Sequence, residues 1–374
     1  MYKLVVSAFV SLLFVLTPAT AARADTKAKV SKTKAKKAQV SKSRFKRREA
    51  AAGRISAAPR SNYISRTVMI NGKRRTVVQR VFSSRNYVAP VPRMSVGDRA
   101  GLNLTRDPLD LASSVALVLD QNNSEVLFEK NANVSLPIAS ITKLMTGLIV
   151  VEAKQDMNEI LTVTDDDVDR EKFTGSRLAV GSQMTRASML HIALMSSENR
   201  AAAALGRNYP GGVAGFVAAM NAKAVQLGMY ETRYVDSSGL SSRNVASARD
   251  LAKLAIVAYQ QPLLRQYSTD PKSVVDAGRR MMNYRNTNYL VNLPDWEIGL
   301  QKTGFINEAG RCLVMQAMID GRAVIMVFLD SKGKQSRTAD AGRVKRWLEA
   351  LRPAGLSAPT VTPVLERSGV AQGG

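Results

Sequence analysis

The chain has 374 residues, 45% of them hydrophobic, enough to bury a sizeable core in one large domain with extensions or in two domains. Its formal charge of +24 is carried by one end: residues 1–93 hold 22 Lys/Arg against two acids, Asp25 and Glu49, while the rest holds 32 against 28, a basic tail on a nearly balanced body. With one cysteine, Cys312, and one histidine, His191, the chain excludes an internal disulfide and leaves no material for a zinc site of the usual Cys/His kind.

The first 24 residues read as an export signal. Lys3 supplies the basic start, Leu4 to Leu16 is an uncharged apolar run of about 13 residues, and Ala19-Thr20-Ala21 or Ala22-Arg23-Ala24 offers a small-residue cleavage site. The run is shorter than the roughly 20 residues that span a bilayer, although an uncleaved membrane anchor is the alternative reading. Residues 25–109 read as a basic, largely disordered tail and linker, because the stretch from Lys27 to Arg48 has too little apolar surface to offset the entropy of ordering it. Inside it, Tyr63–Ile70 and Arg75–Phe82 flank Asn71-Gly72, a hairpin signal. Pro90, Pro92 and Pro108 mark the passage into the body.

The body spans about 110–352, with a short polar tail over 353–374. Val115 to Asp120 reads as a strand, Gln121 to Ser124 as a turn, and Glu125 to Glu129 as a returning strand. A long apolar helix pattern runs from Ser140 to about Ala153. From Met184 to about Ile256 the pattern is mostly helical, broken at Pro210-Gly211-Gly212 and Ser237-Ser238-Gly239. Strands follow at Glu297–Thr303, Arg311–Met318 and Ala323–Leu329, then a closing helix that includes Val344–Leu351. Two strands, an α-rich insertion, three strands and a helix predict a sheet shared between the two ends of the domain.

Three short motifs carry the chemistry. Ser140-Ile141-Thr142-Lys143 opens the apolar helix, where residues three apart share a face and the hydroxyl can meet the amine. Ser-x-x-Lys also begins at Ser31, Ser43 and Ser331, but those copies lie in charged, polar stretches. Ser197-Glu198-Asn199 is one of several Ser-x-Asn strings and, in isolation, is equally a polar cluster at a helix end. Lys302-Thr303-Gly304, followed by Phe305, is the only Lys-Thr-Gly in the chain and closes an alternating strand. A Ser-His-Asp triad would have to use His191, which sits in the helical apolar string Met189-Leu190-His191-Ile192 and reads as a partly buried helix residue.

The order Ser-x-x-Lys, Ser-x-Asn, Lys-Thr-Gly is the signature set of β-lactamases and penicillin-binding proteins. Together with Thr174-Gly175-Ser176-Arg177-Leu178, the run Leu194 to Ala202, and Tyr234 to Leu240, it makes residues 113–350 resemble the D-alanyl-D-alanine carboxypeptidase and endopeptidase family of low-molecular-mass penicillin-binding proteins. Glu198, where many carboxypeptidases of the family carry Gly, resembles its endopeptidase members. The resemblance implies an α/β (α+β) fold of the β-lactamase/transpeptidase type: an antiparallel sheet flanked by helices, with an inserted α-rich subdomain.

For function, the resemblance implies an exported serine-type D,D-peptidase that cleaves D-alanyl bonds of peptidoglycan peptides and is acylated by β-lactams. Ser140 would be the nucleophile, Lys143 the base and Ser197 the proton relay. Asn199, Lys302, Thr303, Gly304 and Phe305 would bind substrate, with the backbone N–H groups of Ser140 and Phe305 as the oxyanion site. No metal or organic cofactor is called for. The expected compartment is the periplasm or cell-wall space, with membrane association open. The tail is expected on an anionic wall or membrane surface, and nucleic acid is not expected as a physiological partner. Three rivals stand beside this reading: a D,D-carboxypeptidase on uncrosslinked stems, a class A type β-lactamase, and a catalytically idle binding protein. The second lacks the Glu-x-x-Leu-Asn string that would activate a deacylating water after Ser197; the intact motifs argue against the third.

Overall fold

A computed structural model describes residues 62–70, 72–81, 94–278 and 280–351. The expected signal segment, most of the basic tail with Pro90 and Pro92, and the C-terminal tail lie outside the described residues. Two units are present, divided after Val88.

In the first unit, Asn62–Ile70 and Lys73–Val81 pair antiparallel, with Ile70 opposite Lys73. That leaves a two-residue turn, and Gly72 takes the left-handed conformation (φ 72°) such a turn demands. Lys73, Arg74 and Arg75 at the start of the return strand are exposed.

The second unit is built on a five-stranded sheet. Its strands are β1 (Ser113–Asp120), β2 (Val126–Lys130), β3 (Glu297–Ile306), β4 (Gly310–Ile319) and β5 (Arg322–Ser331). The order is β3-β4-β5-β1-β2, antiparallel throughout, so the sheet is shared between the ends of the domain as the element order predicts. All eight residues of β1 are buried, because both faces of the sheet are covered. Side chains alternate across it: Val115, Leu117 and Leu119 enter one core, Ala116 and Val118 the other. β5 alternates likewise, with Ile325, Val327 and Leu329 on the first face and Val324, Met326 and Phe328 on the second. Each such Val or Leu stabilises the fold by about 1.5–3 kcal/mol relative to an exposed one.

The first face carries the α-rich part. It comprises α1 (Thr142–Glu152), α2 (Arg186–Met195), α3 (Asn199–Arg207), α4 (Gly212–Gln226), α5 (Ala248–Tyr259) and α6 (Pro262–Thr269). The second face is covered by α7 (Ser336–Ala350) through Ala341, Val344 and Leu348. α1 is buried continuously from Thr142 to Val150; with no solvent-exposed face over that stretch, it is a central helix. α2 and α5 begin at side-chain caps, Thr185 accepting from Ser188 N–H and Ser247 from Asp250 N–H.

The expected helix from Ser140 starts differently: Ala139–Ile141 form a 3-10 turn that feeds α1 at Thr142. The region from Met184 to Ile256 is mostly helical, as its pattern predicts, with two departures. Gln183–Thr185 is a short strand paired with Ile160–Thr162, and a long irregular segment separates α4 from α5. A hairpin of Lys272–Asp276 with Met281–Arg285 precedes β3; its exposed alternate residues give it little apolar signal. Among the described residues no helix is long and apolar enough to cross a membrane.

Candidate active site

The site forms where the central helix, the α2–α3 corner and the edge strand β3 meet. The 3-10 turn sets Ser140 just ahead of α1, and Ala139 before it has φ 48°. This left-handed residue redirects the chain into the helix and holds it against Gly239, also left-handed at 82°. A Cβ on Gly239 would lie 2.0 Å from the Ala139 carbonyl oxygen, so only glycine permits the packing. The segment beneath is pinned by Asp236, whose carboxylate accepts from the N–H groups of Ser238, Gly239 and Ser241 at 2.6, 2.6 and 3.0 Å.

In the first turn of the helix, the fully buried Lys143 brings its Nζ to three oxygens. Ser140 Oγ lies at 2.9 Å, Asn199 Oδ1 at 2.8 Å and the Ser238 carbonyl at 2.5 Å. Burial pulls the amine from the usual lysine range down to about 7, against the opposing pull of the Asp236 and Glu198 carboxylates. An unperturbed lysine, with a pKa near 10.4, is neutral in only about one molecule in two thousand at pH 7; here the neutral and charged forms are comparably populated.

Ser197 occupies the corner between α2 and α3 with φ 60°. That strained turn aims its hydroxyl at Lys302 Nζ, 2.9 Å away. Lys302 is fully buried on β3 and also donates to the Thr303 carbonyl at 2.8 Å. Its pKa falls well below the ordinary value, first through burial, then through the charges of Lys143 and Arg337.

Contrary to the sequence expectation, Lys302-Thr303-Gly304 does not end the strand, which runs on to Ile306. β3 is an edge strand of the sheet, and the edge not paired to β4 faces the Ser140 turn. Gly304 makes the approach possible, since a Cβ there would sit 2.9 Å from the Ile138 carbonyl and 3.1 Å from the Ser140 nitrogen. Phe305 is about half exposed. The structure thus brings Ser140, Lys143 and Asn199 into one cluster and Ser197 and Lys302 into another, with Gly304 packed against the Ser140 turn and Phe305 next in the strand.

Further residues complete the site, of which Thr287 escapes sequence reading. Thr287 Oγ1 lies 2.6 Å from Thr303 Oγ1, and Asn199 Nδ2 donates to Thr174 Oγ1 at 3.2 Å. Glu198 accepts from Ser176 Oγ at 2.6 Å. Arg337 donates to the Gly304 carbonyl at 2.7 Å and is lowered to about 10 by burial and by Arg311. Arg337 does carry a sequence signal: a cation in the first turn of α7 opposes the helix dipole, so another interaction must hold it there. His191 lies apart from these contacts. It stacks on Tyr267 with ring centroids 4.5 Å apart, and its Nε2 lies 2.9 Å from Asp270 Oδ2.

Comparison with known proteins gives a consistent picture. Residues 103–333 match the family model described as D-alanyl-D-alanine carboxypeptidase. A D-alanyl-D-alanine endopeptidase of Pseudomonas aeruginosa is 49% identical over 265 residues, 70% of this chain and 84% of the relative. A D-alanyl-D-alanine endopeptidase of Escherichia coli is 42% identical over 262 residues, with the same two coverages of 70% and 84%. Among solved structures, a D-alanyl-D-alanine carboxypeptidase of Mycobacterium tuberculosis superimposes with TM-score 0.60 at 25% identity, covering 67% of this chain and 95% of that one. A cefotaxime-bound penicillin-binding protein of Listeria monocytogenes gives 0.58 at 29%, covering 64% and 98%.

Proposed function

Because the chain belongs to the D-alanyl-D-alanine carboxypeptidase family of serine peptidases, we propose that it is an exported D,D-endopeptidase that opens peptidoglycan crosslinks through an acyl-enzyme on Ser140. The observation that carries this reading is the position of the buried Lys143 amine, 2.9 Å from Ser140 Oγ and poised near neutral pH.

Ser140 Oγ attacks the carbonyl of a D-Ala residue as Lys143 Nζ takes its proton. Developing negative charge on the carbonyl oxygen is met by the backbone N–H groups of Ser140 and Phe305 across the close approach at Gly304. When the C–N bond breaks, the Ser197 hydroxyl, with Lys302 as its neighbour, gives its proton to the leaving amine and takes up in turn the proton that Lys143 received from Ser140, so both groups end as they began. The carboxylate on the leaving side is held by the Lys302 amine and the Thr303 hydroxyl, with the Arg337 guanidinium, bonded to the Gly304 carbonyl, beside them. An incoming carboxylate favours the charged form of Lys302. Asn199 holds the peptide backbone against the free edge of β3. Water then releases the acyl group. The same geometry makes β-lactams covalent inhibitors.

The endopeptidase assignment is favoured over carboxypeptidase by the two endopeptidase relatives and by the buried Glu198 in the second motif. Purified enzyme on isolated peptidoglycan is expected to convert crosslinked muropeptide dimers to monomers, read by mass spectrometry. Loss of terminal D-Ala with dimers intact would make it a carboxypeptidase.

The basic tail supports a second element of the proposal, electrostatic attachment to the anionic wall or membrane surface in the periplasm or cell-wall space. Its charge is dense, and the hairpin presents Lys73, Arg74 and Arg75 to solvent. Removing residues 25–90 is expected to leave penicillin acylation intact but to reduce retention on sacculi at low salt. High salt should erase the difference, since screening confines the attraction to about 8 Å at physiological ionic strength. Equal retention of both forms at low salt would remove the tail from binding.

A further inference from the structure

The two walls of the cleft are joined by an ion pair that the chemistry above does not use. Lys172 Nζ lies 2.8 Å from Glu308 Oε1. Lys172 belongs to the loop 169–174 on the α-rich wall, and Glu308 to the turn between β3 and β4. Asp169 organises the loop, accepting from the N–H groups of Glu171, Lys172 and Thr174 at 2.9, 2.9 and 2.8 Å and from the Thr174 hydroxyl at 2.7 Å. Thr174 in turn receives Asn199 Nδ2. A connected path therefore runs from Lys143 through Asn199, Thr174 and Asp169 to Lys172 and across to Glu308.

Position along β3 gives the pair a meaning. With the leaving-side carboxylate at Lys302 and the reacting carbonyl at the Phe305 N–H, the acyl part of the substrate must continue past Phe305 toward Glu308. The ion pair therefore crosses the acyl-donor end. Each wall also presents an aromatic ring there. Phe173, next to Lys172, is 82% exposed and held at φ 54°, a conformation that costs a bulky residue energy unless something is gained by it. Phe305 is 51% exposed, with the Arg311 guanidinium 4.6 Å from its ring centroid.

We infer that Lys172 and Glu308 form a strap that holds loop 169–174 over the cleft, so that Phe173 and Phe305 grip the donor stem peptide from opposite walls. The inference rests on the D,D-peptidase reading and names two positioning residues and one contact residue for it. A small β-lactam ends before the strap; a wall peptide does not. The strap therefore acts on recognition of long substrates and not on the bond-making step.

The test compares wild type with Lys172→Ala, Glu308→Ala, the charge swap Lys172→Glu/Glu308→Lys, and Phe173→Ala, all in the full chain. The readouts are the benzylpenicillin acylation rate and kcat and KM on a purified crosslinked muropeptide dimer. For the single variants KM is expected to rise about three- to fivefold, the range of a partly exposed ion pair, with kcat and penicillin acylation little changed. The charge swap should recover most of the lost KM, and high salt should raise the wild-type KM toward that of Lys172→Ala. Unchanged KM in the single variants, a swap no better than they are, or penicillin acylation falling in step with dimer cleavage would each overturn the strap. Wild-type protein that takes up no penicillin would overturn the peptidase reading and the strap with it.

Discussion

Ser140→Ala is expected to abolish the covalent penicillin adduct completely while leaving the fold intact. Intact-mass measurement should show one adduct on the wild type and none on the variant. The effect is all-or-none because the change removes the attacking atom itself, and no second hydroxyl shares its environment. Ser197 Oγ lies beside Lys302, not Lys143, and the other Ser-x-x-Lys strings lack a buried amine among the described residues. The substitution is structurally mild: the Ser140 side chain is partly exposed, and the hydroxyl it loses is a partner of an amine that keeps Asn199 and the Ser238 carbonyl. An undiminished adduct in the variant would displace Ser140 as nucleophile.

Lys143→Ala should lower the acylation rate by two to four orders of magnitude, about the contribution of a well-placed general base. Its pH dependence is the sharper test. The base is the neutral amine, and burial sets the folded pKa to about 7. Acylation by penicillin should therefore rise with pH through about 7 and level off above it, the sign expected when deprotonation activates the group. Lys143→Ala should lose that limb. His191 is the one other side chain whose ordinary pKa would give a similar limb, and burial lowers its pKa against the pull of Asp270. Its contacts to Tyr267 and Asp270 place it in a separate cluster, so His191→Ala should keep both rate and profile. A folded His191→Ala protein without acylation would refute the lysine-base mechanism.

How far the sequence could be read depended on whether a feature was periodic or merely spatial. β1, β4 and β5 are legible because apolar side chains fill both faces over a strand's length, and α1 because a largely apolar run of helical length follows Lys143. The three motifs are legible by order, since each string alone recurs or has an ordinary structural use. What is not legible is geometry made from backbone. The Ser238 carbonyl that holds Lys143 has no side-chain signature, although Asp236-Ser237-Ser238-Gly239 has the composition of a turn built on an Asp carboxylate. The left-handed corner at Ser197 is likewise hidden, because serine has no special preference for it. Thr287 reaches the site from a distant segment, and nothing local marks it.

The sheet's connectivity has a consequence for how the molecule comes into being. β1 pairs with β5, Val115 opposite Leu329, so the first strand of the domain waits for nearly the last. Until residues past 320 are available, β1 lacks its central neighbour and its apolar face lacks cover on both sides. Such a non-local contact order makes folding slow and leaves no stable stopping point on the way. A nascent or truncated chain ending before β5 should therefore stay open and protease-sensitive even though it carries Ser140, Lys143, Ser197, Asn199 and Lys302. The reacting groups are encoded early and late, but they become a site only when the last strand zips the two ends together.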